Sequence, residues 1–252
     1  MRILQICGSP KRGNNYAMLN FMQEQFPDID FKLLMLGELD LQQCKGCYVC
    51  IARGEEFCPL KDDRDMIIGE IEAADGIILA TPVHVNHVSA LMKHFIGRVG
   101  FLGHRPRHFD KYLMPMAIGG GFGTDEAIKH MSGIFSVLGF NIVSSLELYI
   151  SAKEEREKPA NKEKTITAVN NFIKGIEKGK EKEHLPEPTL LKLIYFNILK
   201  AVGEVNKKEG PADYEYYKDK TDFFYTTKIN PFKKMIAKRI SGREIAKMMK
   251  DR

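Results

Sequence analysis

The sequence predicts a doubly wound α/β fold, in which helices cover both faces of a parallel sheet. Five strand-like apolar segments alternate with segments whose apolar residues recur at helical spacing. The chain has 252 residues, 44% of them apolar, which is enough to bury a substantial core. Strands that alternate with helices are typical of a parallel sheet, and five of them favour the strand order 2-1-3-4-5.

The predicted elements follow one another along the first 150 residues. Apolar runs bounded by turn residues predict strands at 3–7, 31–36, 76–80, 113–118 and 141–149. Apolar residues at intervals of three and four predict helices at 15–26, 64–73, 87–98 and 125–138. In such sheets ligands bind beyond the carboxyl ends of the strands, near the switch point between the first and third strands.

A loop that suits a phosphate follows the first strand, with the sequence Gly8-Ser9-Pro10-Lys11-Arg12-Gly13-Asn14-Asn15. Backbone N–H groups and the helix dipole at the start of a helix attract an anion, and Ser9, Lys11 and Arg12 add donors and charge. The same residues also fit an ordinary turn, in which Asn14 or Asn15 caps the helix and the cations are solvated. The loop alone leaves both interpretations open.

Two further loops are expected at the same edge of the sheet. Residues 81–87 follow the third strand and contain Pro82, which restricts the backbone, while residues 119–124 follow the fourth strand and are rich in glycine. Glycine allows the backbone to approach a flat ring closely. Together the three loops form a pocket suited to a phosphate, a sugar alcohol and a ring.

Four cysteines form the most specific motif, in a loop that we predict at residues 40–63. Cys44, Cys47, Cys50 and Cys58 are the full ligand set of a [4Fe–4S] cluster. The short, successive intervals and Pro59 after the last cysteine favour iron–sulfur over zinc, and a metal-free thiol loop is the other alternative. Cys7, at the end of the first strand, is interpreted as a small buried hydrophobe.

The balance of basic and acidic residues changes near residue 150. Residues 1–150 contain 14 basic and 17 acidic residues, whereas residues 151–252 contain 24 basic and 16 acidic residues. We therefore predict an α/β domain at 1–150 and a helical, basic C-terminal extension at 151–252. The broad apolar face predicted at 189–205 suggests docking onto the first domain or a second subunit.

The last 25 residues of the extension favour packing along an oligomer seam over contact with an anionic membrane surface. They carry nine Lys and Arg, with apolar residues interleaved. No nucleic-acid-binding module is recognised, so nucleic acid is not an expected partner. The clustered cysteines, and the absence of an amino-terminal signal pattern or a membrane-span pattern, predict a cytoplasmic protein.

Four motifs together resemble the NADPH-dependent FMN reductase superfamily: the segments 8–14, 61–63, 80–83 and 91–98. With the four cysteines, the chain resembles the iron–sulfur flavoprotein branch of that superfamily. The resemblance covers about residues 1–150 and implies a flavodoxin-like fold and a homodimer, often a tetramer of two dimers. It implies FMN and a [4Fe–4S] cluster as cofactors. The residues that it implies around FMN are Ser9, Lys11, Arg12, Asn14, Asn15, Pro82, Val83, His84, Val85, Asn86, His87, Gly119, Gly120, Gly121 and Gly123.

The expected function is electron transfer by an FMN-dependent oxidoreductase. The [4Fe–4S] cluster accepts single electrons from a carrier such as ferredoxin, and FMN pairs them for an unidentified acceptor. NAD(P)H is the other expected electron donor. One alternative is an NAD(P)H-dependent FMN or quinone reductase without a cluster, and another is a non-catalytic electron carrier or scaffold. For His84 and His87, a hydrogen-bonding or packing role is favoured over proton transfer.

Overall fold

The structure, a computed structural model, describes residues 1–182 and 184–250 and contains a seven-stranded sheet. Its parallel strands follow the predicted order 2-1-3-4-5, so the flavodoxin-like fold is confirmed, and a short hairpin strand pairs antiparallel with the third strand. The strands are β1 (Arg2–Cys7), β2 (Asp30–Met35), β3 (Gly76–His84), β4 (His87–Val88), β5 (Tyr112–Gly119), β6 (Asn141–Ile142) and β7 (Leu146–Tyr149).

The predicted fifth strand, 141–149, consists of two pieces. β6 pairs with the first residues of β5 and β7 with its last residues, both in parallel. Between the two pieces, the Ser144 hydroxyl donates a hydrogen bond of 2.9 Å to the Ala168 carbonyl. The chain breaks its sheet pairing here because Ser144 bonds to a neighbouring helix.

Both faces of the sheet are covered, as expected for a doubly wound fold. Alternate residues of a strand point to opposite faces, and in β5 both sets are buried. Met114 and Met116 join a core cluster with residues of the helices at 14–25 and 159–180, whereas Leu113 and Ala117 are buried on the opposite face.

Nine α-helices accompany these strands among the described residues. The predicted helix at 87–98 begins later, at Ala90, because His87 and Val88 belong to β4 and the Ser89 side chain caps the helix by accepting from the Met92 N–H. The helices are α1 (Asn14–Gln25), α2 (Val49–Ala52), α3 (Arg64–Ala73), α4 (Ala90–Arg98), α5 (Thr124–Val137), α6 (Pro159–Lys180), α7 (Leu190–Asn206), α8 (Pro211–Tyr217) and α9 (Pro231–Lys250).

The chain divides into two compact units. The first contains residues 1–44, 60–100 and 108–182, and the second contains residues 45–59, 101–107 and the described residues after 183. This grouping differs from the boundary predicted at residue 150, because α6 packs on the sheet. Phe172 and Ile176 of α6 are fully buried, and a Cβ placed on Gly76 of β3 would lie 2.7 Å from each.

The second unit has its own core, in which aromatic side chains of α8 and of residues 223–225 pack on α7. Phe196 of α7 is fully buried and contacts the rings of Tyr217, Phe223 and Phe224, with centroids 5.1 to 5.8 Å away. Among the described helices, none is both long and apolar enough to cross a membrane.

Candidate functional site

The loop after β1 is held tightly against α4. The Gly8 N–H donates to the Ala80 carbonyl at 2.7 Å, and the Ser89 hydroxyl donates to the Gly8 carbonyl at 2.6 Å. A Cβ on Gly8 would lie 2.9 Å from the Cβ of Met92, so a side chain at this position would collide with α4. The close packing fixes the direction in which the chain leaves the sheet toward α1.

The start of α1 has the features of an anion site. Its N-cap, Gly13, supplies no side-chain hydrogen bond, so the first N–H groups of this 12-residue helix are not capped by the chain. Asn15 is 2% exposed, and its Oδ1 atom has no hydrogen-bond partner among the described residues. Ser9 is also buried. A buried acceptor oxygen without a partner is costly, so the Asn15 oxygen would be stabilised by a hydrogen-bond donor.

The two cations of the loop differ in their surroundings. Arg12 is exposed and pairs with Glu38 at 2.9 Å, and the Arg12 guanidinium lowers the pKa of the Glu38 carboxyl. Lys11 is exposed and forms no ion pair within the described part of the chain. Asn14 donates a long hydrogen bond of 3.4 Å to the Ile150 carbonyl. Of the two cations, Lys11 is the one whose charge no acidic side chain offsets.

Residues 82–87 form a tight hairpin, which the sequence did not predict. His84 pairs with His87 across the two-residue turn Val85-Asn86, whose φ angles are 49° and 60°. Two successive left-handed residues are the mark of a type I′ turn, in which a β-branched residue is strained. Pro82 and Val83 are half-buried, whereas residues 84–87 are exposed. The side chain of Val85 thus projects into solvent at the tip.

The glycine-rich loop after β5 touches this hairpin. Gly123 has a φ of 86°, and a Cβ placed on it would lie 2.6 Å from the Cα of Asn86. Gly119 and Gly123 are buried, while Gly120 and Gly121 are exposed. The structure therefore brings together two of the three predicted cofactor loops, and glycine is required at 123 by both its backbone and its neighbour.

His130 of α5 contacts the hairpin, a neighbour of the candidate site that sequence reasoning missed. Its ring lies edge to face against that of His87, with centroids 4.2 Å apart. Burial, then the nearby His87 and Lys93, lower the pKa of the His130 imidazole. Only its position near the glycine-rich loop along the chain could have suggested a role.

The cysteine loop is closed at its base by hydrogen bonds between residues 40–42 and 61–63. The Asp63 N–H donates to the Asp40 carbonyl, and the Asp40 N–H donates to the Asp63 carboxylate, both at 2.8 Å. Asp62 accepts from the Gln42 N–H and from Arg98, which bonds both carboxylate oxygens at 2.7 Å. Burial alone would raise the pKa of Asp62, but these hydrogen bonds lower it. The base thus combines a buried Asp62–Arg98 ion pair with exposed hydrogen bonds between its two chain segments.

The cysteines differ in exposure and are not joined by disulfides. Cys44 and Cys47 are exposed, Cys50 is half-buried and Cys58 is buried. Within the described ranges 1–182 and 184–250, no group of three or more His, Cys, Asp or Glu side chains is arranged to hold a metal ion. The donor chemistry suits a cluster, but the arrangement does not gather the ligands. Cys7 is fully buried, as predicted, and burial raises the pKa of its thiol.

Sequence comparisons find a family and several curated relatives similar to this chain. Residues 1–155 match the family described as NADPH-dependent FMN reductase. An iron–sulfur flavoprotein of Archaeoglobus fulgidus is 28% identical over 225 residues, which cover 87% of this chain and 99% of that protein. An iron–sulfur flavoprotein of Methanosarcina thermophila is 29% identical over 153 residues, covering 57% and 77% of the two chains.

Two solved structures share the fold. RosB with its bound intermediate 8-demethyl-8-formylriboflavin-5'-phosphate superposes with a TM-score of 0.61 at 13% identity, covering 92% of each chain. A flavone reductase superposes with a TM-score of 0.53 at 18% identity, covering 74% of this chain and 65% of that chain. The similarity to RosB extends over most of the C-terminal extension as well as the sheet.

Proposed function

The chain belongs to the NADPH-dependent FMN reductase family and is an FMN-dependent oxidoreductase, and on that premise we propose which residues hold the flavin and how electrons reach it. In this proposal the FMN phosphate binds at the start of α1. Ser9, Asn15 and the uncapped N–H groups donate hydrogen bonds, and Lys11 supplies charge. The uncapped N–H groups at the start of α1, beside the buried Ser9 and next to Lys11, are the observation that carries the assignment.

The hairpin and the glycine-rich loop are proposed to line the ribityl chain and the ring. Bound FMN supplies redox chemistry in steps of one or two electrons. Around it, Pro82 and Val83 present a rigid, half-buried surface, and Gly119–Gly123 allow the backbone to come close. His84 and His87 are exposed beside this surface, where they can hydrogen-bond a ligand. Arg12 and Asn14 are secondary in this proposal, since each already has a protein partner.

We further propose that Cys44, Cys47, Cys50 and Cys58 hold a [4Fe–4S] cluster. Four thiols in one closed loop support this, as do the names of the two relatives described above. The cluster would receive electrons one at a time, from a carrier such as ferredoxin, for an acceptor that remains to be identified. The four thiolates would bind the iron atoms, and the loop would govern how closely an electron donor approaches the cluster.

Anaerobic purification tests this function directly. FMN, iron and acid-labile sulfide are counted per chain, and the visible spectrum is recorded for wild type and Cys47→Ala. We expect about four iron and four sulfide per chain in the wild type, with iron and sulfide depleted and FMN retained in the variant. Stoichiometric zinc without sulfide, or no metal at all, would contradict the cluster.

The second candidate is an NAD(P)H-dependent FMN or quinone reductase without a cluster. The observation that favours it is the lack of a three-ligand group in the described part of the chain. It predicts steady oxidation of NAD(P)H with FMN or a quinone in protein free of iron. If iron-free protein is inactive with NAD(P)H but iron-loaded protein accepts electrons from reduced ferredoxin, this candidate fails. If neither form turns over with any donor, the protein is a non-catalytic carrier or scaffold.

A homodimer is proposed as the working assembly. The exposed side of α9 carries Phe232, Met235, Ile236 and Ile240, and basic side chains lie among them rather than on a separate face. A mixed surface of this kind is better suited to a protein seam than to a membrane surface, where the apolar and charged faces are separate. Analytical ultracentrifugation of the full chain measures the assembly, and co-sedimentation with anionic vesicles tests the membrane alternative.

A further inference from the structure

Arg105 is the centre of a buried polar network in the second unit. Its side chain is 7% exposed. The guanidinium donates to the carboxylate of Asp213 at 2.5 Å and to that of Glu55 at 3.0 Å. It also donates to the Ile51 carbonyl at 3.0 Å and to the Cys50 carbonyl. One side chain thus binds both the cysteine-bearing segment 45–59 and α8 of the C-terminal extension.

The neighbours of Arg105 are fixed by the same extension. Tyr217 of α8 donates its hydroxyl hydrogen to the His104 carbonyl, and Tyr195 of α7 donates to the Gly103 carbonyl, both at 2.7 Å. The His104 ring nitrogen Nδ1 lies 2.8 Å from Asp213. Both α7 and α8 therefore hold the backbone on which Arg105 is mounted.

The cysteine-bearing segment depends on such external support. Its α2 has a single turn, which is too short to be stable alone, and the carbonyls at its end lack partners within the helix. The planar guanidinium satisfies two of these carbonyls at once, a geometry that Lys cannot reproduce. Asp213 in turn balances the buried charge, which would otherwise be costly.

We propose that Arg105 is a positioning residue for the segment that carries Cys47, Cys50 and Cys58, and that the C-terminal extension acts on this segment through Asp213. The extension thereby sets the backbone conformation from which the thiols take up metal. The part that concerns metal uptake rests on the proposed function, whereas the part that concerns the conformation of the segment does not.

The conformational part is tested on metal-free, full-length protein. Hydrogen exchange of residues 48–54 and the alkylation rate of Cys50 are compared for wild type, Asp213→Asn and Arg105→Gln. Asp213→Asn removes the negative charge that pairs with Arg105, and Arg105→Gln removes the guanidinium that bonds the Ile51 and Cys50 carbonyls. We therefore expect exchange and alkylation to be about tenfold faster in both variants. The control is Glu215→Gln, also on α8, which removes an exposed pair with Lys218 and should change neither rate. Wild-type rates in both variants would overturn the proposal.

Two further variants separate positioning from a loss of folding. Asp213→Asn keeps the shape of the side chain. Arg105→Lys keeps the positive charge but not the planar guanidinium with its several N–H donors. If Arg105→Gln does not fold, the rates in Asp213→Asn and Arg105→Lys decide whether Arg105 positions the segment. We expect Asp213→Asn to retain native circular dichroism and FMN, and Arg105→Lys to give rates between those of wild type and Arg105→Gln. Full rescue by Lys would overturn the role of the guanidinium geometry.

Iron loading tests the functional part. After reconstitution with iron and sulfide, we expect Asp213→Asn to hold less than about half the wild-type iron and to show an altered cluster spectrum, with FMN content unchanged. Full iron loading and a wild-type spectrum in Asp213→Asn would contradict this part. If the wild type itself takes up no iron while segment 48–54 still exchanges faster in the variants, positioning is upheld and the cluster assignment fails.

Discussion

The rings of His87 and His130 meet edge to face between the hairpin and α5, with their centroids 4.2 Å apart. The His130 Nε2 atom is buried without a hydrogen-bond partner among the described residues. Burial, then His87 and Lys93, hold the pKa of His130 below its ordinary value of 6.5. The unfolded chain therefore binds more protons than the folded chain between the lowered pKa and about 6.5. Stability contributed by neutral His130 is present above that window and is lost as the pH falls through it.

We predict that His130→Gln reduces the acid sensitivity of the fold. Gln carries no titrating group, so the free energy of unfolding should fall less between about pH 7 and 5 than in the wild type. Urea unfolding at several pH values measures the difference. The exposed His184 provides the control variant His184→Gln. A wild-type pH dependence in His130→Gln would show that His130 is not the group responsible.

Asn15→Ala should act in opposite directions on the apoprotein and on flavin binding. In the apoprotein, Ala removes a buried oxygen without a partner, so the free energy of unfolding should stay level or rise by about 1 kcal/mol. With FMN, it removes a ligand contact, so affinity should fall about tenfold, the equivalent of ~1.4 kcal/mol. Urea unfolding and fluorescence titration measure the two effects. Asn20→Ala, one turn and a half further along α1, is the control, and equal FMN affinities in the two variants would refute the site.

Lys11→Gln should weaken FMN binding more than Arg12→Gln does. The charge of Lys11 is not offset by an acidic side chain in the described structure, whereas Arg12 is paired with Glu38. We expect a loss of about tenfold for Lys11→Gln and about threefold or less for Arg12→Gln, shrinking as salt is added. Titration at two salt concentrations measures both. The reverse ranking would place the phosphate nearer to Arg12.

Val85→Asn should stabilise the protein. Val85 is 99% exposed, so its side chain contributes little packing, and its φ of 49° is unfavourable for a β-branched residue. Asn tolerates this conformation, so the free energy of unfolding should rise by about 1 kcal/mol. Thermal and urea unfolding measure the change, and Val85→Ala, which removes the β-branch but lacks an amide that can bond the local backbone, should gain less. A destabilised Val85→Asn would mean that the apolar tip has a packing role.

The fold was predictable because its signals are local. Strand runs and helical spacing along residues 1–138 depend on burial against a common sheet, and the observed elements lie within a few residues of the predicted ones. The hairpin was missed because Val85 is a poor turn residue, so only Asn86 marked the turn. The break in the fifth strand depends on Ser144 bonding to α6, a contact that no local pattern contains.

The candidate loops at the strand ends were predictable from the sequence, but the contacts within them were not. The glycines and Ser9 mark loops at the strand ends, whereas the pairing of Arg12 with Glu38 and of His87 with His130 joins residues 26 and 43 positions apart. The change in charge near residue 150 likewise reflects the composition of the protein surface and not the packing beneath it. It could not reveal that α6 buries Phe172 and Ile176 against the sheet, nor that Arg105 binds Asp213 from 108 positions away.

The closed base of the cysteine loop makes the loop an exchangeable part of the fold. Asp40 and Asp63 are bonded to each other and Arg98 secures Asp62, so the chain departs from and returns to two adjacent, fixed points. The entropy of closing a loop between such points changes slowly with its length. Residues between 43 and 60 can therefore be changed while the strand register stays the same, provided that the acceptors of the buried Arg105 in this segment are kept or substituted. The same frame could accept a different metal-binding loop, or a plain turn, without redesign of the flavin-binding half.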